Sequence, residues 1–340
     1  MTLPAVLTAL ALVAAQADAP QVRRREQVEV ERILVEARVV DGRGQPVLGL
    51  APEHFRVSLA GRDVRVESAF WVDGAGPPLA EEAAAAGLTS DEPTGRLIVL
   101  FFQKDLERSR IGGLMRMTRE ASHLLDTLAP ADRVAVASFD SHLKLWVDFT
   151  DDRARARRAL EHSILFEARP TAARVFEPPA LGPSFDRLAA RRAATPETAL
   201  LVLADALKDV PGSKSLVFFG WGLGRFTSLG VRLERDYEAA RRALIEARTA
   251  VFTLDVTDAD YHSLEVGLEQ VAQDTGGFYA KTHLFSTQAL RRVEGALAGH
   301  YVLVLEAPRL GDGSHDLRVR LVGRRGVVHA PPSWQRRGGG

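Results

Sequence analysis

The sequence of 340 residues contains no cysteine. It therefore excludes a disulfide framework, a cysteine zinc site and a thiol nucleophile. The formal net charge is zero, because 44 lysine and arginine residues are balanced by 44 aspartate and glutamate residues. Nucleic acids and anionic membranes both favour a basic surface, so we expect neither to be the main partner.

Several motifs of catalytic and cofactor sites are also missing. The nine histidines form no H-x-x-x-H or H-E-x-x-H pair, which leaves a histidine zinc site without support. No G-x-S-x-G segment of the hydrolase type occurs. Residues 220–224, Gly-Trp-Gly-Leu-Gly, resemble part of a phosphate-binding loop but lack the spacing of a dinucleotide fingerprint and the ending of a P-loop. A turn at the end of a strand is the simpler interpretation.

The longest apolar run, Leu3 to Ala15, lies at the N-terminus and is followed by Ala15-Gln16-Ala17. This layout is typical of a signal peptide over residues 1–17, and the run is shorter than the roughly 20 residues of a membrane-spanning helix. No basic residue precedes the run, so the alternative is a mis-assigned start or a leader that stays attached. We predict an exported, periplasmic or extracellular protein with no transmembrane segment in the mature chain.

Apolar side chains alternate with polar ones in two regions that flank the centre of the chain, as in half-buried strands. The alternating segments are Ile33–Val39, Phe55–Leu59, Val64–Val72, Tyr301–Leu305 and Leu317–Leu321. We predict an N-terminal β unit over 18–75, a C-terminal β segment over 299–335 and a disordered tail over 336–340. Because the ends of an α/β domain can lie close together, the two flanks are expected to form one accessory β module.

The centre of the chain alternates continuous apolar runs with segments of helical spacing. Leu97–Phe102 is typical of a strand buried on both faces of a parallel sheet. The alternation predicts a doubly wound, mostly parallel, Rossmann-like sheet over 96–298, with helices on both faces. Residues 76–95 have the composition of a linker, and the proline-rich stretch 169–184 is expected to be a surface loop.

Asp255, Asp258 and Asp260 follow a predicted strand, at the edge where open α/β sheets place their sites. Three carboxylates in this interval could hold a metal ion. Acidic residues are also ordinary helix caps and solvated loop residues, and this second interpretation is the simpler one.

The order of several short segments resembles that of the von Willebrand factor A (VWA)-related proteins found in Acidobacteria and relatives. The matching segments are residues 40–50 and 53–55, Ala131–Val136, Asp148–Asp152, Leu203–Leu207, Pro211–Lys214, Asp255, Asp274–Gly277 and the strand at Tyr301–Leu303 with the hairpin after it. The resemblance covers about 300 residues and implies a Rossmann-like sheet with helices on both faces.

The resemblance also implies a possible cation site at the top of that sheet. VWA-type domains often hold Mg²⁺ or Ca²⁺ there, through D-x-S-x-S after the first strand of the domain, a threonine from a later loop and an aspartate after the fourth strand. Such hard oxygen ligands suit these ions, and an open coordination position can accept a partner's carboxylate.

This sequence departs from that pattern. Gln103 stands directly after Leu97–Phe102, and a shift by two residues gives only the partial match Asp105-x-Glu107-x-Ser109. Gly220-Trp221 stands where the second aspartate is expected, and Thr171 is the one position we assign to the threonine. We therefore expect a degenerate metal site and no cofactor, with Asp105, Glu107 and Ser109 as remnant ligands if Mg²⁺ or Ca²⁺ does bind.

The predicted function is protein–protein interaction or adhesion, with a protein partner in the cell envelope or outside the cell. The loops at the carboxyl ends of the strands would form the surface, with Trp221 and Phe226 as aromatic anchors, unless both pack against a neighbouring helix. An enzyme of hydrolase type that uses acidic residues at the sheet top is one alternative. A structural role in an envelope assembly, with the β flanks docking to a partner, is the other.

Overall fold

The structure is a computed structural model that describes residues 30–74, 95–168 and 178–336. The predicted signal peptide, linker residues 76–94, Thr171, residues 169–177 of the proline-rich stretch and tail residues 337–340 lie outside the described residues. Within the described ranges, no helix combines the length and the apolar character needed to cross a membrane.

Strands and helices alternate in the centre of the chain and strands dominate its flanks. The strands are β1 (Val30–Val40), β2 (Phe55–Leu59), β3 (Arg62–Asp73), β4 (Leu97–Gln103), β5 (Arg133–Phe139), β6 (Leu143–Thr150), β7 (Lys214–Gly220), β8 (Arg225–Thr227), β9 (Gly230–Arg232), β10 (Thr249–Asp255), β11 (Tyr279–Lys281), β12 (Gly299–Pro308), β13 (Gly313–Leu321), β14 (Val327–His329) and β15 (Ser333–Arg336). The helices are α1 (Arg108–Asp126), α2 (Arg153–Arg158), α3 (Ile164–Phe166), α4 (Arg187–Arg192), α5 (Pro196–Lys208), α6 (Tyr237–Glu246), α7 (Glu265–Asp274) and α8 (Ser286–Leu297), with a 3₁₀ turn at Pro52–His54 and a π-helical turn at Ala159–Ser163.

The central sheet has the strand order β11-β10-β7-β4-β5-β6. Neighbouring strands are parallel except at the edge, where β6 runs antiparallel to β5. The chain builds outward from β4 in one direction through β5 and β6, then in the other through β7, β10 and β11. The order therefore reverses between β4 and β7, and the carboxyl ends of these two strands flank the point where open sheets place their sites.

Both faces of the central sheet are buried. Every residue of β4 is buried, as its continuous apolar run predicted, and its side chains alternate between two apolar clusters. One cluster includes side chains of α5, α6 and α7, and the other includes side chains of α1 and α8. The rings of Phe102 and Phe219 stack across β4 and β7 with centroids 4.4 Å apart. Helices thus cover the sheet on both sides.

Local sequence explains several helix ends. Thr195 caps α5, because its side chain accepts a hydrogen bond from the amide of Thr198 at 3.2 Å, and Pro196 occupies the first turn, where its missing amide needs no partner. Helix α7 stops before Gly276, whose φ of 76° lies in the left-handed region that favours glycine. Both features are local sequence signals of helix ends.

A second sheet combines strands from the two flanks, in the order β14-β1-β12-β3-β2-β13-β15. Tyr301 lies in its core, where its hydroxyl donates to the carbonyl of Val47 at 2.9 Å and accepts from the amide of Leu50 at 3.1 Å. Arg336, which the sequence analysis assigned to the tail, is the last residue of β15 and donates to the carbonyl of Leu310 at 2.6 Å. The predicted domain boundaries stay a prediction.

A buried polar cluster joins the second sheet to the amino-terminal ends of the central strands. Arg248 donates from Nε to Oε1 of Glu36 at 2.7 Å, and the hydroxyl of Ser213 donates to Oε2 at 2.8 Å. Burial alone would raise the pKa of Glu36, but Arg248, His300 and Arg38 outweigh burial and hold it well below its usual range. Burial lowers the pKa of His300 to about 4, although Glu36 opposes this shift.

We expect the buried His300 to make the folded state sensitive to acid. Since its pKa is about 4 when folded and about 6.5 when unfolded, the unfolded chain takes up more protons between these values. Stability is therefore full above about pH 6.5 and falls as the pH drops towards 4, by at most about 3 kcal/mol. His300→Gln should flatten the dependence of the unfolding free energy on pH between about 7 and 5, measured by urea denaturation.

The control for this experiment is His123→Gln, because His123 is exposed on α1. It should leave the wild-type slope unchanged. His329, whose pKa is also lowered to about 4 by burial, should leave part of the slope in the His300→Gln variant. An unchanged slope in that variant would show that His300 is not held neutral in the fold.

Candidate functional site

The carboxyl edge of the central sheet is formed by the loops that follow its parallel strands. These loops are 104–107 after β4, 140–142 after β5, 221–236 after β7, 256–264 after β10 and 282–285 after β11. The candidate metal-ligating and anchor residues of the sequence analysis that the structure describes lie at or beside this edge. It is therefore the candidate functional site.

Gln103 ends β4 and is only 1% exposed. Its side-chain oxygen accepts hydrogen bonds from the backbone amides of Trp221 at 3.0 Å and Gly222 at 3.3 Å. A side chain at Gly220 would place its Cβ 3.1 Å from the same oxygen, so a larger residue there would crowd this contact. The family resemblance implies aspartates at these two positions. Here Gln103 instead joins β4 to the loop after β7, and Gly220 leaves room for this contact.

The remnant carboxylates are paired with an arginine in the first turn of α1. Asp105 accepts from the backbone amide of Glu107 at 2.9 Å and from the guanidinium of Arg110, which also lies 3.2 Å from Oε2 of Glu107. The guanidinium stacks on Trp221, 3.8 Å from its ring centroid. Since both carboxylates already contact the same guanidinium, an ion would have to displace Arg110, and these residues do not fit the Mg²⁺ or Ca²⁺ site of the family pattern.

Ser109 takes part in the site through its backbone. Its carbonyl accepts from the amide of Asp258 at 3.0 Å, which ties the start of α1 to the loop after β10. Gly113 permits this close approach, because a Cβ there would lie 1.7 Å from the carbonyl oxygen of Val256. The third remnant ligand is thus part of a backbone contact between the start of α1 and the loop after β10.

Asp255 is the centre of a hydrogen-bond network at the end of β10. One of its oxygens accepts from the amide and the hydroxyl of Thr257, at 2.9 and 2.8 Å. The other lies 2.8 Å from both Nε2 of His262 and the hydroxyl of Tyr279. Burial raises the pKa of Tyr279, and the negative charge of Asp255 raises it further, so Tyr279 stays protonated and donates. Lys281 completes the network by donating to Glu265 at 2.9 Å.

Asp255, His262 and Glu265 could hold a metal ion, since each offers a ligand atom and these atoms lie within 4.8 Å of one another. Of the three aspartates noted in the sequence, only Asp255 belongs to this group. Asp258 pairs with Arg116 at 2.9 Å, and Asp260 lies 2.9 Å from His283. His262 and Glu265 were missed, although both stand where the loop after β10 enters α7.

The two predicted anchors have different environments. Trp221 is half-buried under Arg110 and packs against an apolar cluster of the central sheet, and its Nε1 has no hydrogen-bond partner among the described residues. Phe226, in the β8–β9 hairpin, is 65% exposed. Their role in partner binding stays a prediction.

Large apolar side chains project from the loops after β4, β7, β10 and β11 at the carboxyl edge. We call them the apolar rim: Leu106, Phe226, Leu229, Tyr261, Leu284 and Phe285. Each is at least 65% exposed, and Leu229 at the tip of the β8–β9 hairpin reaches 97%. Singly exposed apolar residues are common, but several at one edge indicate a surface for another molecule.

No protein-family model and no curated protein matches the sequence. Similar solved structures include an aerotolerance-related membrane protein from Bacteroides fragilis, at 14% identity and a TM-score of 0.39, covering 59% of this chain and 98% of the other. A von Willebrand factor type A protein from Catenulispora acidiphila has 10% identity and a TM-score of 0.40, with coverage of 90% and 72%. The manganese-loaded TRAP protein of Plasmodium vivax has 8% identity and a TM-score of 0.40, with coverage of 77% and 95%.

The structural neighbours of this mixed α/β chain thus include von Willebrand factor type A domains. Nothing about the ligands or partners of this chain follows from similarity at this level. The Acidobacteria type, export and the absence of a cofactor stay predictions.

We expect Asp255→Asn to destabilise the fold by about 1–3 kcal/mol, because an amide nitrogen would face donors that now share a carboxylate oxygen. The free energy of unfolding in urea measures this loss. Asp258→Asn is the matched control, since its carboxylate is 43% exposed and surface ion pairs contribute about 0–1 kcal/mol. Equal effects of the two substitutions would contradict a structural role for the Asp255 network.

Proposed function

We propose that this chain is an exported, non-enzymatic protein whose doubly wound, VWA-type domain binds another protein through the carboxyl edge of its central sheet. The accessory module formed by the flanks would support that domain from the opposite end of the strands. The observation that carries the proposal is the apolar rim, which draws on the loops after β4, β7, β10 and β11.

The composition of the rim supports a protein partner. Phe226, Tyr261 and Phe285 provide aromatic side chains, which are enriched at the centres of protein interfaces. Arg110, stacked on Trp221 beside the rim, adds a second residue type that interfaces favour. An interface of this kind needs no bound ion, because its charged groups are already paired within the protein.

The charged groups of the edge also support a non-enzymatic role. Asp105 is engaged by Arg110, Asp258 by Arg116 and Glu265 by Lys281. General acid–base chemistry requires titratable groups that converge on a reacting atom. Here each of these carboxylates is instead directed at a cation. The groups that do converge, Asp255, His262 and Tyr279, hydrogen-bond to one another, and we interpret their network as structural rather than catalytic.

Site-specific photo-crosslinking in cells of the source organism tests the proposal. A benzophenone amino acid at Tyr261 should give a discrete protein adduct, whereas the same group at Leu48, which is 61% exposed in the loop after β1, should not. Equal labelling from both positions, or none from the rim, would contradict the proposed surface.

A companion variant tests whether the adduct depends on the rim itself. Phe226→Ser combined with Leu229→Ser should lower the yield of the Tyr261 adduct at least about tenfold, because buried apolar and aromatic contacts dominate interface energies. Both side chains are exposed, so the thermal midpoint should stay within about 2 °C of wild type. An unchanged yield of the Tyr261 adduct in a folded double variant would contradict the proposal.

Recognition through this edge is expected to be independent of divalent cations. We expect the same thermal midpoint in millimolar Mg²⁺, Ca²⁺ or Mn²⁺ as in EDTA, because Arg110 already engages the remnant carboxylates. An ion bound at about 100 times its dissociation constant would add about 2.7 kcal/mol and shift the midpoint by several degrees. A shift lost in Asp105→Ala would place an ion at the remnant ligands, and one lost in His262→Ala would place it beside Asp255.

A further inference from the structure

Strand β1 has an open edge along much of its length. It pairs with β12 from Val30 to Ala37 and, on its other side, with β14 only from Arg38 to Val40. Along the stretch from Arg32 to Ala37, the described part of the chain provides no strand and no backbone hydrogen bond on the β14 side. An unpaired edge of this kind is a template for another strand.

The sequence explains why the pairing with β14 stops. If the register of Arg38 with His329 continued, Glu36 would face Pro331, but Pro331 and Pro332 have no amide hydrogen to donate. The chain turns away instead: the carbonyl of Pro332 accepts from Leu317 at 2.8 Å, and β15 then pairs with β13. Pro331 is fixed against Gly276, where a Cβ would lie 2.8 Å from the proline ring.

The separation of β15 from β1 leaves a cavity of about 570 Å³ between them. We call it the slot. Its walls include the consecutive residues 32–36 of β1 and 333–335 of β15. Consecutive strand residues point to opposite faces of the sheet. Residues of both faces line the same cavity only where the strand turns its backbone edge, and not one face, towards that cavity. Both walls therefore offer main-chain groups in the plane of the sheet.

Two buried donors at the slot lack acceptors. Arg38 is 7% exposed, and its Nε has no hydrogen-bond partner within the described ranges. The buried Nε2 of Gln335, which also lines the slot, has no hydrogen-bond partner there either. Glu36 attracts Arg38 but accepts no hydrogen bond from it, since the donors to its two oxygens are Arg248 and Ser213. Burying a guanidinium donor without an acceptor raises the free energy of the folded state. We therefore expect a ligand of the slot to provide hydrogen-bond acceptors.

We propose that the slot binds an extended, acidic segment of a partner protein by strand addition. The main chain of the segment would pair with the open edges of β1 and β15, and one of its carboxylates would meet Arg38. Strand addition obtains affinity from main-chain hydrogen bonds and specificity from pockets for alternate side chains. Leu34, Val302 and Trp334 provide apolar lining for such side chains.

Charge favours this occupant over the chain's own segment before β1. Arg32 and Arg248 also line the slot, but they are paired with Glu67 and Glu36, which leaves Arg38 as the lining arginine without a hydrogen-bonded acceptor among the described residues. The residues before β1 include Arg23-Arg24-Arg25, which would add like charge beside Arg38. Like charges held close together are destabilising, whereas an acidic segment supplies the missing acceptor.

The proposal is tested with the full chain and three fluorescent peptides of about eight residues, built on alternating valine and threonine. The first carries a central aspartate, the second a central lysine, and the third is the aspartate peptide with alternate amides N-methylated. Fluorescence anisotropy should show the aspartate peptide binding at least about tenfold more tightly than the lysine peptide, with no saturable binding of the methylated one. Equal affinities of all three would overturn the proposal.

Protein variants separate the slot from the rest of the surface. Arg38→Gln should bring the aspartate and lysine peptides to within about threefold of each other, whereas the exposed Arg56→Gln on β2 should preserve the tenfold preference. A preference that survives in a folded Arg38→Gln variant would place the carboxylate elsewhere.

Amide hydrogen exchange locates the bound peptide. The aspartate peptide should slow exchange at those amides of residues 32–36 and 333–336 that do not bond to β12 or β13, and leave the apolar rim unchanged. Slow exchange of these particular amides of 32–36 in the free chain would show that the chain's own segment fills the slot. Protection that rises with protein concentration would show a second copy there, and protection confined to the rim would assign the peptide to the other site. Each of these three results overturns the proposal.

Discussion

The central constraint on this molecule is that β4, β7 and β10 are buried on both faces. A strand in this position can carry few polar side chains between its ends, because each would have to find its partners inside an apolar core. Polar chemistry is therefore confined to the two ends of the sheet. At the amino-terminal end the Glu36 cluster joins the second sheet, and at the carboxyl end the Gln103 and Asp255 networks hold the loops.

Much of this layout could be predicted from the sequence, since it depends on local patterns. The run Leu97–Phe102 identified β4, Thr195-Pro196 identified the start of α5, and Gly276 identified the end of α7. Strand β6 was missed, although Leu143, Leu145, Val147 and Phe149 alternate. An edge strand that is partly exposed has no continuous apolar run, and that run was the feature by which the other central strands were found.

The candidate site was less predictable, because its contacts join residues from separate loops. The positions of Asp105 and Glu107 were visible in the sequence, but their pairing with Arg110 depends on how one side chain folds back over Trp221. His262 and Glu265 approach Asp255 only through the path of the loop between β10 and α7. Spacing alone does not specify such a path, since it is fixed by backbone contacts like that between Ser109 and Asp258.

The position of β12 between β1 and β3 has a consequence for how the chain is made. The amide of Gly74 at the end of β3 bonds to the carbonyl of Ala298, so the central segment leaves and re-enters the second sheet at one point. Strands β1 and β3 emerge from the ribosome long before β12. They therefore lack the strand that pairs with both of them until residues 96–298 have been synthesised. Since pairing between distant segments is slow and leaves edges open to aggregation, the first strands need protection during synthesis. Folding of the central domain brings Arg96 and Leu297 together, because the guanidinium of Arg96 donates to the carbonyl of Leu297. This contact places the start of β12 beside the end of β3.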